Sequence, residues 1–183
     1  LYMENLKVVL EKNEIIPVMT HKAHFIHSIA GVLKLFIRDL AEPLMTHAAF
    51  DVIIPIANPS LKKQDEEIAE EIRKFILKTV PSDNVEFMYQ LCKLLGTICD
   101  SSDINKMHAT NLGLIMGMSF FKPKGDDPLK IASNVQNMSR ITTIIISQYR
   151  TILKHKIDEE NGAVETSEHQ IETTEEATTT SNS

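Results

Sequence analysis

Between Ile29 and Leu40 the chain places Ile29, Val32, Leu33, Leu35, Phe36, Ile37 and Leu40 on nearly every face of a helical wheel. A helix apolar almost all round belongs in the middle of a larger structure, because it has more than one face to bury. The spacing predicts a buried helix from about Ser28 to Leu40. Lys34 and Arg38 interrupt the apolar cover four residues apart, and so on one stripe. Like charges at that spacing repel by about 0.2–0.5 kcal/mol. Either their stems lie along apolar surface with the heads in water, or an anion or a partner surface answers them. Pro43 closes the helix, since the residue before a proline is pushed out of the α region.

The rest of the chain reads as helices too. Met3, Leu6, Val9 and Leu10 predict a short one over residues 3–12, followed by an irregular stretch with Pro17 and three histidines. Residues 44–56 are apolar with helical content, closed by Pro55 and Pro59. Residues 65–80 form an amphipathic pattern with Ile68, Ile72, Phe75 and Ile76 inward. Asp65, Glu66 and Glu67 suit the positive N-terminal end of that helix. After Pro81, Asp83 with Glu86 predicts a capping box for a helix carrying Val85, Met88, Leu91, Cys92, Leu95 and Cys99. Ser102 or Asp103 is expected to cap a helix over roughly 104–116 that carries Asn111. Gly125-Asp126-Asp127-Pro128 is a turn, and Pro128 opens a long last helix. Its stripe is Leu129, Ile131, Val135, Met138, Ile141, Ile145, Tyr149 and Ile152. The β-branched run Ile141 to Ile146 keeps helical phase with its flanks, and no segment alternates with period two. The expected architecture is an all-α multi-helix bundle.

At 183 residues the chain is long enough for one domain with a real core. It starts with Leu1 rather than Met and reads as a piece of a longer protein. The domain is expected over residues 1–155, with an acidic Thr/Glu-rich tail over 156–183. Residues 158–183 hold eight acids and no Lys or Arg; without them 17 acids face 19 bases. The tail has too little apolar surface to offset its ordering entropy and is expected to be disordered. The near-neutral remainder argues against nucleic-acid binding by bulk charge. No apolar run reaches the length of a membrane span and no signal peptide is visible.

Catalytic signatures are missing from the sequence. It has no phosphate-cradling G-x-x-x-x-G-K loop, no nucleophile elbow and no H-E-x-x-H. His21, His24 and His27 are spaced by three, but no Cys or carboxylate nearby completes a metal set, so they read as surface or loop histidines. Cys92 and Cys99 share one helical face and read as small hydrophobes in a reducing compartment.

Three blocks carry a resemblance. The run Leu33-Lys34-Leu35-Phe36-Ile37-Arg38-Asp39-Leu40-Ala41-Glu42-Pro43-Leu44 resembles the L-K-x-F-L-R-E-L-P-E-P-L signature of Rho GTPase-activating (RhoGAP) domains. Asn105-Lys106-Met107-His108-Ala109-Thr110-Asn111-Leu112-Gly113-Leu114-Ile115-Met116-Gly117 is similar to that family's N-K-M-x-x-x-N-L-A-x-x-F-G-P segment. Between them, Val80-Pro81-Ser82-Asp83-Asn84 is similar to its L-P-x-x-N helix start. Three blocks in the right order are far more specific than one.

The resemblance implies a helical domain that assists another protein's reaction and has no catalytic centre or cofactor of its own. Its partner would be a Rho-family small GTPase in the GTP-bound form, which itself holds Mg²⁺ and GTP. An arginine inserted in trans offsets charge on the transferring phosphoryl group and is worth about 10³–10⁵ in rate. By resemblance, Arg38 braces the finger loop, Lys34 lies near the groove that contacts the GTPase, and Asn111 touches the switch region or the finger backbone. The alternative is a catalytically silent binding or scaffold module of the same fold. The finger itself lies in a G-[IV]-[FY]-R-x-S-G loop about 35–40 residues before the signature lysine in this trans-arginine mechanism. That position falls ahead of Leu1, and Arg38 is the first arginine of the chain. The setting implied is cytoplasmic, with membrane recruitment through other domains. Two departures stand out: Ala41 replaces the first Pro of P-E-P, and Met116 and Met118 flank Gly117 where the family has Phe and Pro. The latter two are expected to alter packing beneath the groove.

Overall fold

The computed structural model describes residues 23–125 and 127–153, with side chains from residue 27 onward. The expected helix over residues 3–12, His21, the His24 side chain and the tail lie outside the described residues. Seven α-helices are present among the described residues, with no strand. They are α1 (Ala23–Arg38), α2 (Thr46–Val52), α3 (Asp65–Thr79), α4 (Ser82–Asp100), α5 (Ser102–Asn105), α6 (Ala109–Phe120) and α7 (Pro128–Ile152). Two short 3₁₀ helices, Ile54–Ala57 and Pro59–Leu61, join α2 to α3.

α7 is the wall on which the bundle is built. α3, α4, α6 and the first 3₁₀ helix all pack against it. It buries Met138, Ile141, Thr142, Ile144, Ile145, Ile146, Tyr149 and Ile152, so the β-branched run is helix, as its phase predicts. Asp127 caps the helix by accepting from the amides of Leu129 at 3.0 Å and Lys130 at 3.4 Å, with Pro128 at the first helical position. Leu129, expected on the buried stripe, is exposed, although the next residue, Lys130, pairs with Asp51 of α2 at 2.7 Å. Gln148 leaves helical geometry (φ −119°, ψ 22°) and kinks the last turn.

α3 buries Ile68, Ala69, Ile72 and Ile76, and its three acids sit in the first turn as expected. α4 buries Val85, Met88, Leu91, Cys92 and Leu95, while Cys99 is half-buried. The Asp83–Glu86 capping box does not form: α4 starts at Ser82, which puts Asp83 inside the first turn rather than at the cap. The box occurs instead at α3, where the Glu67 carboxylate accepts from the Gln64 amide at 3.0 Å. Residues 44–56 are helical but divide into α2 and a 3₁₀ helix rather than one continuous element.

Two expectations near the site are corrected. α1 buries Val32 and Ile37, but Ile29 is 40% exposed and Phe36 56%. It therefore lies on the surface of the described bundle, which covers only one side of an all-round apolar helix. The helix expected over 104–116 is split into α5 and α6, with Lys106 in the left-handed region (φ 60°) between them. Asparagine side chains compete with the helical backbone here. Asn105 accepts from the Met107 amide at 2.7 Å and donates to the Ile98 carbonyl at 2.8 Å.

Arg140 of α7 holds the loop before α3. Its guanidinium donates to the Ala57 and Lys63 carbonyls and twice to Asp65 Oδ1, at 2.7–3.3 Å. Among the described residues no helix is long and apolar enough to cross a membrane.

Candidate functional site

α1 packs against α6, which brings Lys34, Arg38 and Asn111 onto two adjoining helices. Lys34 and Arg38 are exposed on α1, one turn apart. Among the described residues Lys34 has no ion pair. Arg38 reaches only its neighbour Asp39, Nε to Oδ1 at 3.3 Å, with both side chains more than half exposed. Such a pair contributes little, so Arg38 stays available to a partner. The remaining arginines are engaged: Arg73 bonds Glu70, Arg140 clamps the loop before α3, and Arg150 lies over the Tyr149 ring at 5.1 Å.

Asn111 is exposed near the start of α6, and its Nδ2 donates to the Lys106 carbonyl at 2.9 Å. That bond holds the left-handed turn between α5 and α6. It uses one of the two amide hydrogens and leaves Oδ1 with no donor among the described residues, so Asn111 keeps both an acceptor and a donor for a partner.

A feature that sequence reasoning missed continues from Asn111. Leu114, Ile115 and Met118 are exposed, at 54%, 43% and 54%. Positions 111, 114, 115 and 118 form one stripe at helical spacing, while Leu112, Gly113, Met116, Gly117 and Phe120 bury the opposite side. Because α6 is apolar on all sides, periodicity could not separate the outward stripe from the buried one. An exposed apolar stripe of this kind is a feature of protein interaction surfaces.

The departures at 116 and 118 have different consequences. Met116 is buried, so its departure from the family pattern lies in the interior. Met118 is on the stripe and changes the surface itself. A proline there would remove an amide from the middle of α6; with Met118 the helix runs on to Phe120. Ala41 is exposed in the loop after α1.

The loop from Pro43 to His47 supports this surface from behind. Met45 N donates to the Phe120 carbonyl at 3.3 Å, His47 Nδ1 pairs with the Lys122 carbonyl at 3.0 Å, and Asn84 Nδ2 donates to the Leu44 carbonyl at 3.0 Å. The end of the signature run is thus strapped to both the C-terminus of α6 and the start of α4. Among the described residues no cluster of His, Cys, Asp and Glu has the makings of a metal site.

The described residues form a helical bundle with an exposed apolar stripe on α6 and exposed Lys34 and Arg38 on the adjoining α1. A family profile of the RhoGAP domain matches residues 2–125, and the chain belongs to that family. Rho GTPase-activating protein 24 of Mus musculus is 30% identical over 124 residues, covering 68% of this chain and 16% of that protein. Rho GTPase-activating protein gacN of Dictyostelium discoideum is 27% identical over 130 residues, 71% of this chain and 21% of that protein. The chain thus spans about a fifth of the length of these relatives. The fold is that of human Rho GTPase activating protein 15, with a TM-score of 0.68 and 22% identity over 82% of this chain and 69% of that one. The BH domain from GRAF, the GTPase regulator associated with focal adhesion kinase, gives a TM-score of 0.67 at 23% identity, over 84% and 78%.

Proposed function

We propose that this chain is the GTPase-engaging part of an activator of a Rho-family small GTPase, and that it binds the GTP-loaded form through the α1–α6 face. The observation that carries this reading is the exposed stripe running from Asn111 through Leu114, Ile115 and Met118 on α6, with Lys34 and Arg38 exposed on α1, the helix packed against it. Switch segments of a GTPase are ordered only while the γ-phosphate is present, so a surface that contacts them selects the GTP form. Lys34 and Arg38 would answer acidic groups on the partner, and the Asn111 acceptor would take a backbone amide. Burying the apolar stripe would exclude water from the joint site, where electrostatic interactions strengthen.

Acceleration by about 10³–10⁵ requires an arginine in trans. None of this chain's four arginines has the family's finger context. The second reading is that the same surface binds without catalysis.

Single-turnover GTP hydrolysis over a panel of Rho-family GTPases tests both, with the chain supplied alone and as part of its longer parent. Replacing Lys34, Arg38 or Asn111 by Ala should weaken engagement by roughly 10-fold or more, as expected for central interface residues. Binding without acceleration by either form would select the silent module. No binding by either form would reject the reading.

A further inference from the structure

α6 and α7 cross more closely than an alanine at the crossing would allow. A Cβ built on Gly113 would lie 2.1 Å from Thr143 Oγ1, 2.8 Å from the Ser139 carbonyl oxygen and 2.9 Å from the Thr143 amide nitrogen. One turn on, a Cβ on Gly117 would meet nothing nearer than Met138 at 3.3 Å. The close approach is therefore local to Gly113. The Thr143 hydroxyl fills the space that a side chain would take, donating to the Ser139 carbonyl at 2.8 Å and standing 3.5 Å from the Ala109 carbonyl of α6.

The family pattern carries alanine at this position, and this chain carries glycine. Two of the three contacts are to backbone, which no change of rotamer relieves, so an added methyl would force α6 away from α7. Asn111 lies two residues before Gly113, and Leu114 and Ile115 directly after it.

We propose that Gly113 and Thr143 are a positioning pair. The depth at which glycine seats α6 against α7 sets the height of Asn111, of the Lys106 turn it holds and of the apolar stripe, relative to Lys34 and Arg38 on α1. This rests on the reading that the α1–α6 face engages the partner. It adds a determinant that touches no partner and acts through the placement of a helix.

The test uses Gly113→Ala, Thr143→Val and the double variant Gly113→Ala/Thr143→Ala in the full chain, at a temperature where each is folded. Two quantities are read: GTPase binding, and the Asn111 side-chain amide resonances of the chain alone. Misplacement by about 1 Å can cost 10²-fold in a joint site, so Gly113→Ala should weaken engagement by roughly 10- to 100-fold. It should also shift the Asn111 resonances. The double variant should recover part of the loss, since the contact to Oγ1 is gone while those to backbone remain. Thr143→Val places a methyl where the hydroxyl stands and should act in the same direction with smaller effect, which decides the matter if Gly113→Ala does not fold. Folded variants that engage the partner within about twofold of the unmodified chain and leave the Asn111 resonances in place would overturn the proposal. If the unmodified chain engages no GTPase, the functional reading fails by itself. The Asn111 resonances of Thr143→Val, whose substituted side chain is on the other helix, then decide alone: a shift sustains the positioning role and no shift ends it.

Discussion

Asn84 donates through Nδ2 to the carbonyl oxygen of Leu44 at 3.0 Å, across forty residues of chain. This one bond joins two of the three sequence blocks that carry the family resemblance. It gives the asparagine of the helix-start block a structural role, because Leu44 is buried and its carbonyl needs a donor. Replacing Asn84 by Ala leaves that oxygen unpaired and should cost about 1–3 kcal/mol. Urea denaturation at constant slope measures it. A loss below about 0.5 kcal/mol would mean that water reaches the Leu44 carbonyl.

Thr46 is strained in two ways. It is β-branched with φ 65°, and its buried hydroxyl has no partner among the described residues. The left-handed conformation costs such a residue about 1–3 kcal/mol, and an unpaired buried hydroxyl costs a similar amount. Glycine removes both terms but loses a methyl and gains freedom in the unfolded chain. Thr46→Gly should therefore stabilise by about 1 kcal/mol and raise the melting midpoint by about 2–4 °C. A lower midpoint would show that burial of the threonine methyl outweighs the strain.

Arg140 serves three acceptors at once, and only one of them is charged. The Asp65 carboxylate is about half exposed, so the ion pair itself is screened. Replacing Asp65 by Asn should cost less than about 1 kcal/mol, whereas Arg140→Ala should cost about 1–2 kcal/mol by also freeing the Ala57 and Lys63 carbonyls. Arg140→Lys keeps the charge but not the planar fork, so it should recover less than half. Equal losses for Asp65→Asn and Arg140→Ala in thermal unfolding would assign the effect to the ion pair alone.

Burial pushes the Cys92 thiol up from its ordinary value of 9.0 to about 12, and burial with the nearby Asp100 charge raises Cys99 as well. The thiolate is the nucleophile. Alkylation at pH 8 should therefore reach half-buried Cys99 well before Cys92, read by mass spectrometry of peptides. The same shift has a linked effect on stability. A thiol with a raised folded pKa contributes stability that is complete below its unfolded value and is lost as the pH rises from 9.0 toward about 12. Cys92→Ala should be less stable at neutral pH, yet lose less further stability across that alkaline range.

Most of the helices could be read from spacing, because their buried faces keep a period near 3.6. Val85, Met88, Leu91, Cys92 and Leu95 are buried as their intervals predict, and Ile141 to Ile146 holds its phase in spite of its β-branched composition. What spacing could not supply is the break at Lys106, where asparagine side chains take over backbone bonds, and the first residue of α4. Nor could it supply the close crossing at Gly113, since a missing side chain leaves no mark until the neighbouring helix is in place. Lys34 and Arg38 stood out as two cations on one stripe of an apolar helix, whereas Asn111 and the role of all three came only through family resemblance. The stripe of Leu114, Ile115 and Met118 was hidden by a helix apolar on every side.

The family profile stops at residue 125, three residues before α7 begins, although the solved relatives overlay 82–84% of the chain. Yet α7 is what α3, α4 and α6 have in common. The helices that carry the later sequence blocks therefore lean on α7, which carries none of those blocks. A polypeptide cut at residue 125 would keep every signature residue and lose Ile141, Ile144, Ile145, Tyr149 and Ile152 from the interior. The place to divide this protein follows from the floor of its core, not from the edge of its familiar motifs.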